Sequence, residues 1–520
     1  VGFSATFDVV TGVATFIAGH HSTLPEVLTE LGFALETPRS TTTTLLDTFD
    51  GRLHRAGLRL QVIESNRLEL ELSGESTTPA HIVIDKLPRV LADLPPGPFK
   101  SRIAALIGVR ALLPQLRVSS RRTSGVLRDS AGKVQVVATR HEAVQVVDRQ
   151  DITCPAVAIE IHEVPGYTKR AERILTTLRD LGIEESKTDI LGSCANAAGV
   201  DLGGFAASAT VPLDPEMAPI DGFRLILANL AETIKANWQG SIDQTDPEFL
   251  HDLRIAVRRT RTVLANAKQV VPTDVLDHTR DEFSWLADLT SAPRDLDVYL
   301  LEWSSYIDPL GRDLAPLLEP VRELLEHQRA DAHTAFERGM RSKRATTLMT
   351  TWQRWLAKPV DTSPPATPPR RPLGPLVAKR IARANEDLLE RGRLIGPATP
   401  AEKVHDLRKD AKELRYLLEC FGSLLPAGAR KRYVRRLKAL QDNLGEHQDA
   451  EVHVNMLRTI AHELHATGAS ADTMLALGQL TELLDQRRRA ARAEFAERFA
   501  RYDTPATQRA LDAVLEGIGE

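Results

Sequence analysis

From about Gly222 almost to the end of the chain, apolar residues recur at the three- and four-residue spacing of amphipathic helices. Before that point the pattern is mixed. "TTTTLLDTF" (41–49) is strand-like, and "RLELELS" alternates apolar and polar positions from Leu68 to Leu72. "KVQVVAT" and "EAVQVV" read as two paired strands joined through the short "TRH" stretch, and "AVAIEIHEV" as a further strand. "YTKRAERILTTLRDLGI" has the period of an amphipathic helix ending at Gly182. The first 200 residues are therefore expected to be α+β, with mostly antiparallel strands. Small residues and prolines in "DLGGFAASATVPLDPEMAP" mark a linker. The helical stretch is broken once, by "KPVDTSPPATPPRRPLG", whose six prolines between Pro359 and Pro372 cannot sit inside a helix. It should be an exposed connection between two helical halves.

The two halves repeat each other. "HDLRIAVRRTR" starts at His251 and "HDLRKDAKELR" at His405, 154 positions later. Without a gap, "LADLTSAPRDLDVYL" from Leu286 aligns with "LQDNLGEHQDAEVHV" from Leu440. Asp288 then matches Asp442, Asp295 matches Asp449, and Asp297 matches Glu451. "LEHQRADAHTAF" (Leu325 to Phe336) echoes "LDQRRRAARAEF" (Leu484 to Phe495) at a slightly larger offset. This is an internal duplication, expected to give two pseudo-equivalent helical bundles facing one another.

Cations occupy matching places in both copies. They stand three, seven and ten residues after each histidine: Arg254, Arg258 and Arg261 in the first copy, Arg408, Lys412 and Arg415 in the second. At 3.6 residues per turn, each set falls with its histidine in an arc of roughly 80°, a cationic stripe about three turns long. Arg259 and Lys409 lie beside the stripes. Further positive charge comes from Lys379, Arg380 and Arg383, and from Arg432, Arg435, Arg436 and Lys438. A solvated helix face would mix signs to form i,i+4 pairs, whereas these stripes hold cations alone. Two such stripes lining one groove would suit a linear polyanion. Nucleic acid would call for aromatic platforms among the cations, and only Tyr416 and Tyr433 interrupt these stretches. A polymer with phosphates and no bases fits better. His251 and His405 could donate to phosphate oxygens, make structural hydrogen bonds between helices, or ligate a metal. The usual HxxxH and HExxH spacings are missing from these stretches, which puts metal last. The "RDLD" and "QDAE" segments are expected to hold arginines by charge-assisted hydrogen bonds.

Composition sets outer bounds. The 520 residues are too many for one ordinary domain, and 42% are apolar, enough for real cores. The net formal charge of −4 points to no polyanion partner overall, so any such partner must be read from local patches. Cys154, Cys194 and Cys420 are widely scattered with no CxxC pair, which argues against a disulfide framework or zinc ribbon and fits a reducing compartment. No run of about eighteen apolar residues suggests a membrane span. A soluble, cytoplasmic protein is expected.

The paired HxxRxxx(R/K)xxR stripes, "RDLDVYL" and "LKALQDNLGEHQDAEV" resemble the CHAD domain, the conserved histidine α-helical domain, over roughly 220–515. That resemblance implies an all-α domain of two pseudo-symmetric four-helix bundles that binds inorganic polyphosphate in a basic central groove, with association to polyphosphate granules as a further expectation. The first part of the chain is similar to the CYTH family of triphosphate tunnel enzymes, through "LLDTFDGRLHRAGLRL" and "IEIHEVPGYTKRAERILTTLRDLGI". The implied fold is an antiparallel β-barrel or tunnel. The expected division is 1–200 tunnel-like domain, 201–219 linker, 220–357 first helical half, 358–374 proline-rich connection and 375–520 second helical half.

The CYTH reaction needs acidic residues for Mg or Mn and basic residues for triphosphate. Where its ExExK strand belongs, "GFSATF" places Gly2, Ser4 and Thr6, and residues 1–20 contain no glutamate or lysine at all. Gln61 and Ile63 replace the basic LRxR strand, Glu71 reverses the lysine of the next, and His162 stands beside Glu160 in the late acidic pair. Arg121 and Arg122 match the family's arginines in a later strand. The expected protein is a non-catalytic polyphosphate binder without a cofactor. A metal-dependent triphosphatase fed by the helical groove is the alternative, and nucleic-acid binding a third.

Overall fold

A computed structural model shows two compact units, Val1–Ala207 and Ser208–Glu520. It describes residues 12–18, 24–64, 67–72, 80–147, 152, 154, 157–186, 188–205, 210–358 and 371–518.

The first unit is built on one antiparallel sheet. Its strands are β1 (Gly12–Ala18), β2 (Ala34–Leu35), β3 (Arg39–Asp47), β4 (Leu58–Ile63), β5 (Arg67–Leu72), β6 (Ala80–Val83), β7 (Leu113–Arg128), β8 (Val134–Val146), β9 (Val157–Glu163) and β10 (Glu184–Glu185). The helices are α1 (Leu24–Glu30), α2 (Arg52–Arg55), α3 (Pro98–Ile107), α4 (Thr168–Asp180) and α5 (Ile190–Ala197). The strand order is β10-β1-β9-β8-β7-β3-β4-β5-β6, with β2 paired to β7. The expected closed barrel is not formed: among the described residues the sheet is open, with β10 and β6 at its ends. The "TRH" stretch is no turn either. It lies inside β8, which pairs continuously with β9 from Val136 to Glu142. The register against β7 slips between Ser119 and Arg121, where Ala143 adopts φ 47°. A bulge thus re-aims one long strand where the sequence suggested two.

Alternation places Leu58, Leu60 and Val62 of β4 in the core while their neighbours are half-buried. Beyond α5 the chain closes back on the turn after β3. Gly204, at φ 67°, approaches so near that a Cβ there would lie 2.5 Å from the Gly51 nitrogen. On the side away from β8, β9 pairs with β1, whose "GVATFIA" carries no charged residue. Gly2, Ser4 and Thr6 lie outside the described residues.

The second unit is helical: α6 (Pro219–Ile242), α7 (Pro247–Ala265), α8 (Thr273–Leu289), α9 (Ser291–Leu301), α10 (Trp303–Ile307), α11 (Glu319–Met340), α12 (Lys343–Leu356), α13 (Leu373–Arg393), α14 (Ala401–Cys420), α15 (Ala427–Ala466), α16 (Ala471–Tyr502) and α17 (Pro505–Leu515). Most of the proline-rich connection, 359–370, lies outside the described residues. The apolar cores do not divide by repeat. One runs from Phe223 and Leu253 through Leu407 and Leu444 to Val514. The other joins Tyr299, Trp303 and Leu325 to Val454, Leu457 and Leu484. Each core takes side chains from both copies, so the halves are packed into each other rather than set out as two self-contained bundles. At 1.5 Å per residue, the 40-residue α15 spans about 60 Å, which lets it serve both cores. No described helix is long and apolar enough to cross a membrane.

Candidate anion-binding site

The two stripe-bearing helices, α7 and α14, pack against one another. Asp246 starts α7 by accepting from the Glu248 and Phe249 amides (2.9 and 3.2 Å), with Pro247 at the first helical position. Leu253, Ala256, Val257 and Leu264 of α7 and Leu407, Ala411, Leu414 and Leu418 of α14 are buried. Those apolar faces fix the rotation of each helix and turn the cations away from the core.

Four of the cations converge. Lys412 faces Arg258, Arg254 and Arg408, and Asp449 is its acidic neighbour. Partial burial, followed by the charges of Arg258 and Arg408, pulls its ammonium from the ordinary 10.5 down to about 7. Two aspartates border the cluster at matching places in the repeat. Arg254 Nη2 lies 3.8 Å from Asp295, and Arg408 Nη2 lies 3.0 Å from Asp449. Both carboxylates are more than half exposed, so they steady the arginines while remaining screened by water. The acidic segments therefore hold arginines through Asp295 and Asp449. Asp297 does something else: it is buried and accepts from Arg329 Nε (2.6 Å) and meets His333 Nε2 (3.0 Å).

The stripes are not purely cationic in their setting. Glu419 of α14 pairs with Arg259 (2.6 Å) and with Arg415 (2.7 Å), tying the helices together and neutralising part of the charge there. Arg254 also donates to Ser291 Oγ (2.6 Å), Thr290 Oγ1 (3.3 Å) and the Ala287 carbonyl (3.4 Å), so it braces the α8–α9 junction. Arg258 donates to Tyr416 Oη at 3.3 Å. Arg261 is exposed, with Ser284 Oγ at 3.5 Å.

The histidines sit at the edge of this cluster in different surroundings. His405 Nδ1 is 2.8 Å from Gln448 Oε1, a helix-to-helix hydrogen bond from α14 to α15. Burial and then the nearby Arg294 hold His251 below the usual imidazole range, which keeps it neutral. Gln448 and Arg294 occupy equivalent positions of the repeat. Sequence reasoning passed over both, although their offset of 154 from one another was the signal that pairs them with the histidines. Arg294 Nη1 donates to the Pro247 carbonyl at 3.0 Å, anchoring α9 on the start of α7. Among the described residues no group of three or more His, Cys, Asp or Glu side chains is placed to hold a metal ion.

The other predicted cations lie in separate arrangements. Arg383 pairs along α13 with Asp387 (2.7 Å) and Glu386 (3.5 Å), the pattern of a solvated face. Arg380 donates to the Lys268 carbonyl at 3.1 Å, and Lys379 is exposed. On α15, Lys438 pairs with Asp442 (3.0 Å), while Arg432, Arg435 and Arg436 are exposed. Lys409 pairs with Asp406 at 3.2 Å.

In the sheet unit, Glu160 lies 3.5 Å from His141 Nε2 and 3.7 Å from His162 Nε2. Although burial acts against its charge, the two imidazoles hold its carboxyl well below the usual range. Gln61 donates to Glu69 at 3.0 Å, and Arg121 pairs with Glu142 at 3.1 Å. Arg59 of β4 pairs with Asp189 at the start of α5.

The CHAD domain family model matches residues 225–458, and no model of the CYTH family matches the sheet unit. No curated protein matches the chain. Among solved structures, the CHAD domain from the plant Ricinus communis is 28% identical, with 59% of this chain and 96% of that one covered and a TM-score of 0.44. PptA from Streptomyces chartreusis is 19% identical over 54% of this chain and 99% of its own, with a TM-score of 0.42. A Bacillus halodurans protein described as a candidate adenylate cyclase is 12% identical over 35% of this chain and 94% of its own, with a TM-score of 0.27. By the family match over residues 225–458, the helical unit of this chain carries a CHAD domain.

Proposed function

We propose that the helical unit binds inorganic polyphosphate, using Arg254, Arg258, Arg408 and Lys412 from the two copies as one site. The observation that carries this reading is the crowding of four cations at the contact of α7 and α14, with Asp295 and Asp449 as their acidic partners. After burial itself, the depressed ammonium of Lys412 reflects the repulsion of these like charges. A polyanion relieves it. Guanidinium groups grip phosphate oxygens with several N–H donors at once, and a repeating chain meets successive fixed cations without needing aromatic platforms. The family to which the CHAD domain belongs is associated with binding of this kind, which supports the same reading. Its test is a binding panel at matched salt: long-chain polyphosphate, tripolyphosphate, single-stranded DNA and RNA. Affinity per chain should rise steeply from tripolyphosphate to the long polymer, and both nucleic acids should bind far more weakly. Equal affinity for tripolyphosphate and the long chain would point to a single-anion pocket instead.

The sheet unit, in this reading, is no triphosphatase, and the reading asks for no cofactor. Triphosphate, ATP and thiamine triphosphate incubated with Mg or Mn should release no phosphate above a heat-killed control. Metal-dependent release that Glu160→Gln abolishes would restore the enzyme reading.

A further inference from the structure

The two stripes are equivalent in sequence but not in their partners. Arg261 and Arg415 both stand ten residues after their histidines. Arg261 is exposed, with Ser284 Oγ at 3.5 Å, and among the described residues no carboxylate pairs with it. Arg415 is held by Glu419, one turn further along α14, where its Nε donates to Oε1 at 2.7 Å. The other carboxylate oxygen, Oε2, accepts from Arg259 Nη2 of α7 at 2.6 Å. One carboxylate therefore occupies a cation from each of the two helices. The repeat puts the exposed Ala265 at the position equivalent to Glu419, so the first copy has no such carboxylate. Asp295 and Asp449, by contrast, occur in both copies.

We propose that Glu419 is a specificity-determining residue of the anion site. It holds Arg259 and Arg415 in reserve, and only a polyanion long enough to displace it gains those two cations. This rests on the polyphosphate reading of the site. The first reason is the place of Glu419 in its helix. It lies in the last turn of α14, where the helix field disfavours a carboxylate and that turn offers no basic residue. Its hold on that place comes from the two arginines. The second is shielding. The Glu419 side chain is 26% exposed, against 60% for Asp295 and 62% for Asp449. Water and salt screen its pairs less, so it is the stronger competitor for an arginine.

The third reason is what each ligand stands to gain. At Arg259 and Arg415 a phosphate must first displace a carboxylate that each arginine already grips. A short phosphate has little to offset that exchange. A polymer already anchored on Arg254, Arg258, Arg408 and Lys412 presents its further phosphates at high effective concentration, and the exchange becomes favourable. The opposite role, in which Glu419 orients the arginines for the ligand, predicts the opposite sign when its charge is removed.

The test compares full-chain variants by affinity for long-chain polyphosphate and for tripolyphosphate at one salt concentration. Glu419→Gln removes the charge and keeps the size. It should tighten long-chain binding by about fivefold or more, and tripolyphosphate binding by less than about twofold. Ala265→Glu puts a carboxylate four residues after Arg261, the spacing of Arg415 and Glu419. It should weaken long-chain binding by a similar factor. Glu494→Gln is the control, since it makes the same change of charge and frees Arg498 on α16. Its affinities should change by less than about twofold. If Glu419→Gln folds poorly, the exposed Ala265→Glu still decides. Weaker or unchanged long-chain binding in Glu419→Gln would overturn the proposal, as would unchanged binding in Ala265→Glu. Equal gains for the two ligands, or an equal gain from Glu494→Gln, would overturn it too. An unaltered protein that binds neither ligand defeats the polyphosphate reading itself, and this inference with it.

Discussion

Polyphosphate affinity should fall as pH rises from 7 to 9, by up to roughly tenfold per unit. Lys412 is the source. In the free protein its ammonium is held at about 7 by burial, by Arg254 and Arg258 from α7 and by Arg408 on its own helix, against Asp449 from α15. A bound polyanion reverses that environment and returns the group toward its ordinary 10.5. Between those limits the complex holds one more proton than the free site, so binding takes up a proton and weakens as protons become scarce. Below about pH 6 the lysine is charged in both states and its contribution should be flat. The same depression links to folding: above about 7 the unfolded chain binds the proton that the folded chain has lost, so this group makes stability rise with pH up to about 10.5. Lys412→Arg keeps the charge at all these pH values and should flatten the affinity profile. Terminal phosphates of the ligand ionise near pH 6, which would strengthen binding as pH rises and so cannot imitate the expected trend. Titration calorimetry in two buffers of different ionisation heat would read the proton directly. Zero uptake at pH 8 would contradict the assignment to Lys412.

Arg258→Ala and Lys412→Ala should each weaken polyphosphate binding by about 1–3 kcal/mol, roughly 5- to 150-fold, with little loss of stability. Neither side chain is a structural brace of the kind Arg254 is: Arg258 makes one long hydrogen bond to Tyr416, and Lys412 is repelled by its neighbours. Arg254→Ala is a different substitution. It leaves Ser291, Thr290 and the Ala287 carbonyl without their donor and should lower stability by about 1–3 kcal/mol as well as affinity. Arg259→Ala should weaken binding least, because its charge is already matched by Glu419. Denaturant midpoints beside the binding curves separate these classes. An equal loss of affinity from all four variants would mean that net charge alone matters, with no defined site. Fewer phosphate contacts should also flatten the dependence of affinity on salt, by analogy with counterion release from nucleic acid.

Much of this site was legible in the sequence because helical periodicity and duplication are local signals. The 3.6-residue period put Arg254, Arg258, Arg408 and Lys412 on one face each, and the offset of 154 made Arg254 the counterpart of Arg408 and Asp295 that of Asp449, while which arginine meets which aspartate came only with the fold. What pattern could not show was which cations are already spent. Glu419 lies on α14 itself, yet its pairing with Arg259 depends on how α7 crosses that helix. Arg383 and Lys438 looked like part of the patch, but carboxylates one turn away on their own helices take up their charge. Hydrophobic spacing announced helices correctly but not how the two copies share their cores, since each face reads only as apolar. In the sheet unit, strand character was visible and closure was not. The unbroken run of β8 through "TRH" is set by its pairing with β7 and β9, which the local pattern does not carry.

The central claim is that cations from both copies form one site, and a double-mutant cycle between Arg258 and Lys412, read as affinity for long-chain polyphosphate, tests it most directly. Charges that face each other and grip the same stretch of polymer are coupled, so the account predicts that the double alanine variant departs from the sum of the single losses by about 0.5 kcal/mol or more. Single losses that are negligible, or that add without coupling, would show that the two stripes do not act together and would contradict it.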